Sequence, residues 1–341
     1  MYRDNRELQY HDRMNYVLNN GALGDVITSL PAMIYGRQRR HESMEMRVWA
    51  PSWQHDLLAH LLAPYGKFVM RKLEEFPFAA VTRRANDDWG GGPVAINGFL
   101  HNNHTRNATS MVDFAFSCLL DASPSNMNDR SYPVLAPLGP RTIGGKYILI
   151  PTNATSENKT FRAVVMRPVI EWALDKGYKV VLTGTKTSHT KVDAGGTFRP
   201  IVMLSEVESL ADLLPKCIDM RECTTLLELR DLCGYASAVV GVDGGTIHVA
   251  GTTMAPIVYG LTTTHPRHRF IARMGSPHFQ IKYVVPRDLE CAGCQSEWTL
   301  SFWDFTKCAY GDSICTYQLH PDDFITGLRE LGLNPKENHN A

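Results

Sequence analysis

The residues from Ala238 to His265 limit the folds open to this chain more than any other stretch, and they read AVVGVDGGTIHVAGTTMAPIVYGLTTTH. The first five are small or β-branched and uncharged, which is typical of a strand buried on both faces. That run ends at Asp243-Gly244-Gly245, a short apolar segment follows, and the residues from Ala255 to Tyr259 indicate another strand. Strand, glycine turn, helix and strand in this order predict a parallel β/α domain.

The glycine turn has two interpretations. Backbone N–H groups at the start of a helix, beside glycines that let a ligand approach the main chain, can bind a phosphate or pyrophosphate. Similar turns also connect strand and helix where no ligand binds, and Asp243 would then cap the helix that follows it. The pattern alone leaves both open.

Length and charge set the broad class. With 341 residues the chain is long enough for two domains, and its 35 basic and 35 acidic residues give a formal net charge of zero. No long basic run marks a nucleic-acid-binding face, so nucleic acid is neither indicated nor excluded as a partner. The charged first residues lack the apolar core of a signal peptide, and no apolar run approaches the ~20 residues of a transmembrane helix. We expect a cytoplasmic protein.

Strand and helix patterns alternate in two blocks. We predict a first domain over 14–135, a Pro- and Gly-rich linker over 136–145, a second domain over 146–318 and a C-terminal helix over 319–332. Carboxyl-edge loops of two such domains commonly face each other across a cleft that binds a nucleotide. Among the predicted elements are strands at 79–82, 146–150, 179–183 and 201–204 and helices at 163–176 and 224–235.

Several stretches match one known family in both order and spacing. They are GALGDVITSLPAM from Gly21, ILIPTNATSENKTF from Ile148, TTLLELRDL and AVVGVDGGTIHVAG before and at the glycine turn, and CAGC, KCAYGDSIC and HPDDF near the end. With these stretches the chain resembles glycosyltransferase family 9, the heptosyltransferases. The resemblance implies the α/β GT-B architecture, in which two Rossmann-like domains with parallel sheets face across a cleft. It also implies inverting transfer of a heptose-like sugar from a nucleotide diphosphate sugar to a hydroxyl acceptor, with an ADP-sugar favoured as donor and a saccharide as acceptor.

By the same resemblance Asp25 is the catalytic base. A carboxylate within hydrogen-bond reach of the acceptor hydroxyl would accept its proton as the anomeric carbon is attacked. The alternative is that Asp25 only stabilises the start of its helix, where the helix dipole would make it a weaker base.

The resemblance places the nucleotide sugar in the second domain. Lys159 would contact the phosphates and offset the charge on the leaving nucleoside diphosphate, so no cofactor or metal ion is required for catalysis. Arg162 could share this work. The remaining donor-site residues implied by the resemblance are Thr155, Ser156, Asp243, Gly244, Gly245, Thr246 and His248. His248 could instead be a core histidine, and Gly244 stands where family members usually have Thr or Ser.

A polar segment of the first domain supplies candidates for acceptor binding, namely His101, His104 and Arg106.

Two alternative functions use the same scaffold. The altered donor loop Leu261 to Pro266 leaves room for an unusual acceptor, such as a modified DNA base. A sugar-nucleotide-binding protein without catalytic activity is the other alternative, although Asp25 and Lys159 together argue against it.

Four of the eight cysteines lie late in the chain, at Cys291, Cys294, Cys308 and Cys315. Disulfides are rare in the cytosol, and a CxxC pair followed by two further thiols is consistent with a tetrahedral structural zinc site. The wide spacing of the second pair leaves reduced thiols packed in a small lobe as the alternative.

Overall fold

The computed structural model describes the protein over residues 13–18, 23–39, 42, 44–76, 94–96, 115, 136–185, 189–192, 198–201, 204–264, 266, 280–294, 308 and 311–333. The chain divides into two compact units. Unit 1 comprises Met1–Ala136 and Lys191–Arg199, and unit 2 comprises Pro137–Thr190 and Pro200–Ala341.

Unit 1 contains a parallel sheet with the strand order β3-β2-β1-β4. Its described strands are β1 (Arg13–Val17), β2 (Glu45–Ala50), β3 (Phe68–Lys72) and β4 (Val94–Ile96). Helix α1 (Leu23–Gln38) follows β1, and α2 (His55–Leu62) follows β2. This is the β/α alternation that the sequence predicts.

Strand β3 was not predicted, whereas the strand predicted at 79–82 lies outside the described residues. The burial of β3 explains why its pattern is weak. Its first three residues are only partly buried and its last two, Arg71 and Lys72, are exposed. A strand in such surroundings shows neither a continuous apolar run nor a clean alternation.

Unit 2 contains a six-stranded parallel sheet. Its strands are β5 (Tyr147–Pro151), β7 (Lys179–Thr183), β11 (Ile218–Asp219), β12 (Ala238–Val242), β13 (Ile257–Gly260) and β14 (Ile281–Val284). Their order in the sheet is β11-β7-β5-β12-β13-β14. Its helices are α3 (Ala163–Asp175), α4 (Leu226–Tyr235), α5 (Gly245–Ala250) and α6 (Pro321–Glu330). The parallel sheets of the two units confirm the predicted α/β class.

Two small sheets complete the described strands. One pairs β6 (Asn153–Ala154) with β10 (Leu204–Ser205) in antiparallel fashion, and the other pairs β8 (His189–Val192) with β9 (Phe198–Ile201). The single strand predicted over 201–204 is therefore wrong, because Ile201 ends β9 and Leu204 begins β10. The strands predicted at 146–150 and 179–183 and the helix predicted from 163 are confirmed within one residue.

The core of unit 2 lies between its sheet and helices α3 and α6. Every residue of β5 and β12 is buried, as expected for central strands of a parallel sheet covered on both faces. The ring of Phe324 on α6 is fully buried, and its centroid lies 5.2 Å from that of Phe161. Burying such a ring contributes about 1.5–3 kcal/mol.

Helix α4 begins with a capping box. The Thr225 hydroxyl accepts a hydrogen bond from the Glu228 backbone N–H at 3.2 Å, and the Glu228 carboxylate accepts one from the Thr225 backbone N–H at 2.7 Å. Two N–H groups at the helix start are thereby satisfied. The helix predicted from 224 begins accordingly at Leu226.

The same helix fixes the start of unit 2. Arg230 donates to the carbonyl of Pro137 at 2.9 Å, Asp231 accepts from the backbone N–H of Gly139 at 2.9 Å, and the Tyr235 hydroxyl donates to the Gly139 carbonyl at 2.7 Å. These residues come from the predicted linker, and three side chains of α4 hold them.

In the part of the chain that the structure describes, no helix has the length and apolar character needed to span a membrane.

Candidate functional site

The loop between β5 and α3 presents Lys159. Its shape is set by bonds within the loop, because the Ser156 hydroxyl donates to Asn158 Oδ1 at 2.8 Å and the Lys159 backbone N–H donates to the Ser156 carbonyl at 3.1 Å. Residues Glu157–Lys159 form a single turn of 3-10 helix. Ser156 and Asn158 are buried, whereas the Lys159 side chain is 19% exposed. These bonds hold the loop in one shape, and the ammonium group of Lys159 on it is partly accessible to solvent.

Asp243 follows the last residue of β12, next to β5 in the sheet. Its carboxylate lies 2.8 Å from Lys159 Nζ through Oδ2, and Oδ1 lies 3.4 Å from Nε2 of His248. The Tyr259 hydroxyl donates a hydrogen bond to Oδ1. The structure therefore brings together three residues that the sequence predicted, Lys159, Asp243 and His248, and adds Tyr259.

This ion pair is shielded from water. The Asp243 side chain is 5% exposed, so the field between its carboxylate and the Lys159 ammonium is less screened than at a surface. Removal of Lys159 would leave the buried Asp243 carboxylate uncompensated, which is strongly unfavourable.

Tyr259 was missed by the sequence prediction, which treated it only as part of a strand. It lies in β13, is fully buried, and its ring centroid is 5.8 Å from that of Tyr283. A signal was available, because a tyrosine within a continuous apolar strand must find a partner for its hydroxyl. The sequence could not say that this partner is Asp243.

Gly244, and not Asp243, occupies the N-cap position of α5. Its φ of −164° is extended backbone that any residue adopts, and a Cβ built there would meet only the Val242 carbonyl oxygen, at 3.7 Å. The fold therefore does not require glycine at this position. The space beside its backbone is open, as the approach of a ligand to the main chain requires.

His248 combines features of both interpretations given above. It is 5% exposed and lies between the buried apolar residues Ile247 and Val249 of α5, as a core histidine does. Its Nε2 nevertheless faces Asp243, and its buried Nδ1 has no hydrogen-bond partner among the described residues. His248 is therefore a core residue in contact with the candidate site.

The other predicted loop residues differ in accessibility. Thr155 is exposed, whereas the Ser156 hydroxyl is used within the loop. The Arg162 guanidinium is engaged elsewhere, since it donates to Thr316 Oγ1 and to Glu206, both at 2.7 Å. This arrangement does not support the sharing of phosphate contacts by Arg162.

Asp25 belongs to unit 1. It is the third residue of α1, partly buried, and its backbone carbonyl accepts a hydrogen bond from the Ser29 hydroxyl at 3.0 Å. Helix α1 follows the carboxyl end of β1, so the carboxylate lies in the first helical turn, as predicted. The predicted acceptor residues His101, His104 and Arg106 lie outside the described residues.

The late cysteines are near one another. Burial, together with smaller effects of the nearby Cys308, Cys294 and Cys291, raises the pKa of Cys315 to about 12. Cys291 and Cys294 close a turn, since the Cys294 N–H donates to the Cys291 carbonyl at 3.1 Å. Among the residues with a described position, however, no three His, Cys, Asp or Glu side chains are grouped so that they could hold a metal ion. The thiols as they stand do not form the predicted ligand set.

One family model matches part of the chain. The model of glycosyltransferase family 9 (heptosyltransferase) matches residues 121–270, a range that contains both Lys159 and Asp243. A search of curated protein sequences finds no match.

Solved structures give the fold. The iron-containing dodecameric glycosyltransferase TibC from enterotoxigenic E. coli H10407 superposes with a TM-score of 0.68 and 19% identity, over 94% of this chain and 76% of TibC. TibC in complex with ADP-D-β-D-heptose gives 0.69 and 18%, over 98% of this chain and 82% of that one. The E. coli ADP-heptose LPS heptosyltransferase II gives 0.60 and 16%, over 94% and 98%.

Identities this low show the fold alone, and the match to the family model extends over residues 121–270. The chain has the GT-B architecture of two Rossmann-like domains, and its resemblance to glycosyltransferase family 9, the heptosyltransferases, is confirmed.

Proposed function

We propose that this protein is an inverting glycosyltransferase that moves a heptose-like sugar from an ADP-sugar to a hydroxyl group of a saccharide. The observation that carries the proposal is the buried contact of 2.8 Å between Lys159 Nζ and Asp243 Oδ2. It lies at the carboxyl ends of the neighbouring strands β5 and β12, where open α/β sheets bind ligands. The ADP-heptose complex of TibC, a protein of the same fold, supports the choice of donor.

Lys159 is the phosphate-binding cation in this proposal. Its ammonium group stabilises the negative charge that grows on the nucleoside diphosphate as it leaves. Without a donor, Asp243 holds this ammonium in place, and with a donor bound, phosphate oxygens approach its accessible side. The main-chain N–H groups of Gly245 and Thr246 and the exposed hydroxyl of Thr155 complete the phosphate contacts.

Asp243 has a second proposed task, which is to accept a hydrogen bond from a hydroxyl of the donor. Tyr259 and His248 contact its Oδ1 and hold the carboxylate in one orientation. Gly244, beside it, leaves the space that the sugar needs.

Asp25 is the proposed base in unit 1. It accepts the proton of the acceptor hydroxyl while the oxygen forms a bond to the anomeric carbon. The bond from that carbon to the diphosphate breaks in the same step, and its electron pair leaves with the nucleoside diphosphate. One displacement of this kind inverts the anomeric configuration. His101, His104 and Arg106 are proposed to bind the acceptor.

The test is a thermal-shift comparison of nucleoside diphosphates and their sugars, followed by measurement of free nucleoside diphosphate. A ligand at 100 times its Kd stabilises a fold by about 2.7 kcal/mol, and we expect ADP-sugars to give the largest shift. If no nucleotide sugar shifts the melting temperature, the proposal is wrong. Binding without release of ADP for any saccharide acceptor would identify a non-catalytic binding protein.

A structural metal held by the four late cysteines stays a prediction from the sequence. Its support is the CxxC turn, the proximity of the four thiols and the description of TibC as iron-containing. Elemental analysis of protein purified without chelator tests it. Zinc or iron near one atom per chain would establish the site, and a trace amount would leave reduced thiols.

A further inference from the structure

The loop that carries Lys159 rests on the segment that carries Cys315. We use the name cysteine segment for residues 288–294 and 311–317. The 3-10 turn Ile314–Thr316 of this segment contacts the 3-10 turn Glu157–Lys159 of the loop. The two turns are far apart in sequence, so this contact is a product of the tertiary fold.

Arg162 makes the most direct connection between them. Its Nε donates to Thr316 Oγ1 at 2.7 Å, and its guanidinium carbon lies 4.4 Å from the centroid of the Tyr317 ring. Arg162 is 6% exposed, and Thr316 is fully buried. A buried guanidinium depends on its hydrogen-bond and ion-pair partners, because a buried charge without partners keeps its full desolvation penalty.

Glu206 fixes the other side of the guanidinium. One of its oxygens accepts from Arg162 Nη1 at 2.7 Å, and the other accepts from the backbone N–H of Ala163 at 2.8 Å. That N–H is the first of helix α3. The carboxylate thus ties the orientation of Arg162 to the start of a helix, which leaves the guanidinium little freedom to turn toward a ligand.

Thr262 provides a second, independent connection. Its hydroxyl donates to the carbonyl of Asn158 at 2.5 Å, and its own carbonyl accepts from the backbone N–H of Gly293 at 3.0 Å. Thr262 and Asn158 are each 2% exposed. The residue before Lys159 is therefore held through Thr262 by the CxxC turn.

We infer that Arg162 is a positioning residue, which fastens the Lys159 loop to the cysteine segment so that donor binding depends on the fold of that segment. This inference rests on the proposed function, in which Lys159 binds the donor diphosphate. The sequence suggested phosphate contact by Arg162 itself, and the geometry points instead to an action through Lys159.

The test compares Thr316→Val, which removes the hydroxyl that accepts from Arg162, with Thr316→Ser, which keeps a hydroxyl. A hydrogen bond to a charged group corresponds to about 10- to 100-fold in an equilibrium constant. We expect Thr316→Val to raise the Kd for ADP and the KM for the donor by about 10-fold, with kcat changed less. Thr316→Ser should restore both to within about twofold. The control is Arg167→Gln, which removes an exposed ion pair with Asp212 from α3.

Amide hydrogen exchange of residues 157–162 gives a readout that needs no donor. Thr316→Val should speed exchange there and leave exchange in β5 unchanged, whatever the true donor is. Unchanged exchange, or unchanged ADP affinity in a folded variant, would overturn the inference. If wild-type protein binds no nucleotide, the proposed function fails. The exchange result still decides whether Arg162 fastens the Lys159 loop to the cysteine segment. If Thr316→Val does not fold, Tyr317→Leu, which removes only the exposed ring over the guanidinium, replaces it under the same criteria.

Discussion

At the scale of single residues, the Asp243 carboxylate accepts a hydrogen bond from the hydroxyl of Tyr259, a contact that the local sequence does not indicate. Tyr259→Phe removes the hydrogen bond to Oδ1 and keeps the ring in place. We expect about a 10-fold rise in the KM for the sugar donor, because a carboxylate that accepts one fewer hydrogen bond holds Lys159 and the sugar less firmly. Steady-state kinetics measure it. Tyr178→Phe is the matched control, since Tyr178 stacks on Trp172 at the far end of α3, and an equal loss in both variants would contradict the assignment.

Asp25 gives a prediction for the rate of transfer and not for donor binding. Asp25→Ala should lower the rate of transfer by about 10²-fold or more, because the acceptor hydroxyl loses its base. The affinity for ADP should stay at the wild-type value, since the proposed phosphate contacts are all in unit 2. Calorimetry for ADP and a transfer assay measure the two quantities. Unchanged turnover would remove Asp25 from the mechanism.

The candidate site shows how far single residues can be predicted. Lys159 and Asp243 were proposed from the sequence because each lies in a short stretch typical of the family, and the structure places the two side chains in contact. Their role in donor binding stays a prediction. The partner of Arg162 was not found, because Thr316 follows it by 154 residues and no local pattern connects them. A candidate residue that one short segment identifies can be predicted from the sequence, whereas a contact between distant segments cannot.

At the scale of elements, the strands most easily predicted are those buried most completely. β5 and β12 are continuous apolar runs because both faces of the sheet are covered, and β7 is exposed only at its first residue. β3 was missed because half-buried positions and terminal charges give no period. Burial, more than intrinsic propensity, decides which elements can be recognised.

Gly260, at the end of β13, gives a prediction for element packing. A Cβ built there would lie 2.9 Å from Phe324 Cζ and 3.1 Å from Val242 Cγ1, so α6 would have to move away from the sheet. Gly260→Ala should lower the free energy of unfolding by about 1–3 kcal/mol, the usual cost of overpacking a core. Urea unfolding measures it. Gly144→Ala is the control, because a Cβ there meets nothing within 4 Å, and equal stabilities for the two variants would contradict the packing argument.

At the scale of the whole molecule, the charges balance, with 35 basic and 35 acidic side chains. A net charge of zero gives no overall electrostatic attraction to DNA of the kind that supplies non-specific binding. We expect no salt-dependent change in the fluorescence anisotropy of a labelled duplex up to about 100 μM protein, which reaches the weak end of the typical non-specific Kd range of DNA-binding proteins, roughly 10⁻⁶ to 10⁻⁴ M. Binding that weakens steeply with salt would favour the alternative of a modified base in DNA as acceptor.

The dependence of Arg162 on Thr316 also bears on synthesis at the ribosome. Lys159 leaves the exit tunnel long before the residues that brace its loop, and β12, which carries the approach to Asp243, follows only some 80 residues later. An incomplete chain that stops before Thr316 would display the lysine without its support. If Lys159 binds the donor as proposed, a nascent chain would gain full affinity for nucleotide sugar only after that late segment has been translated.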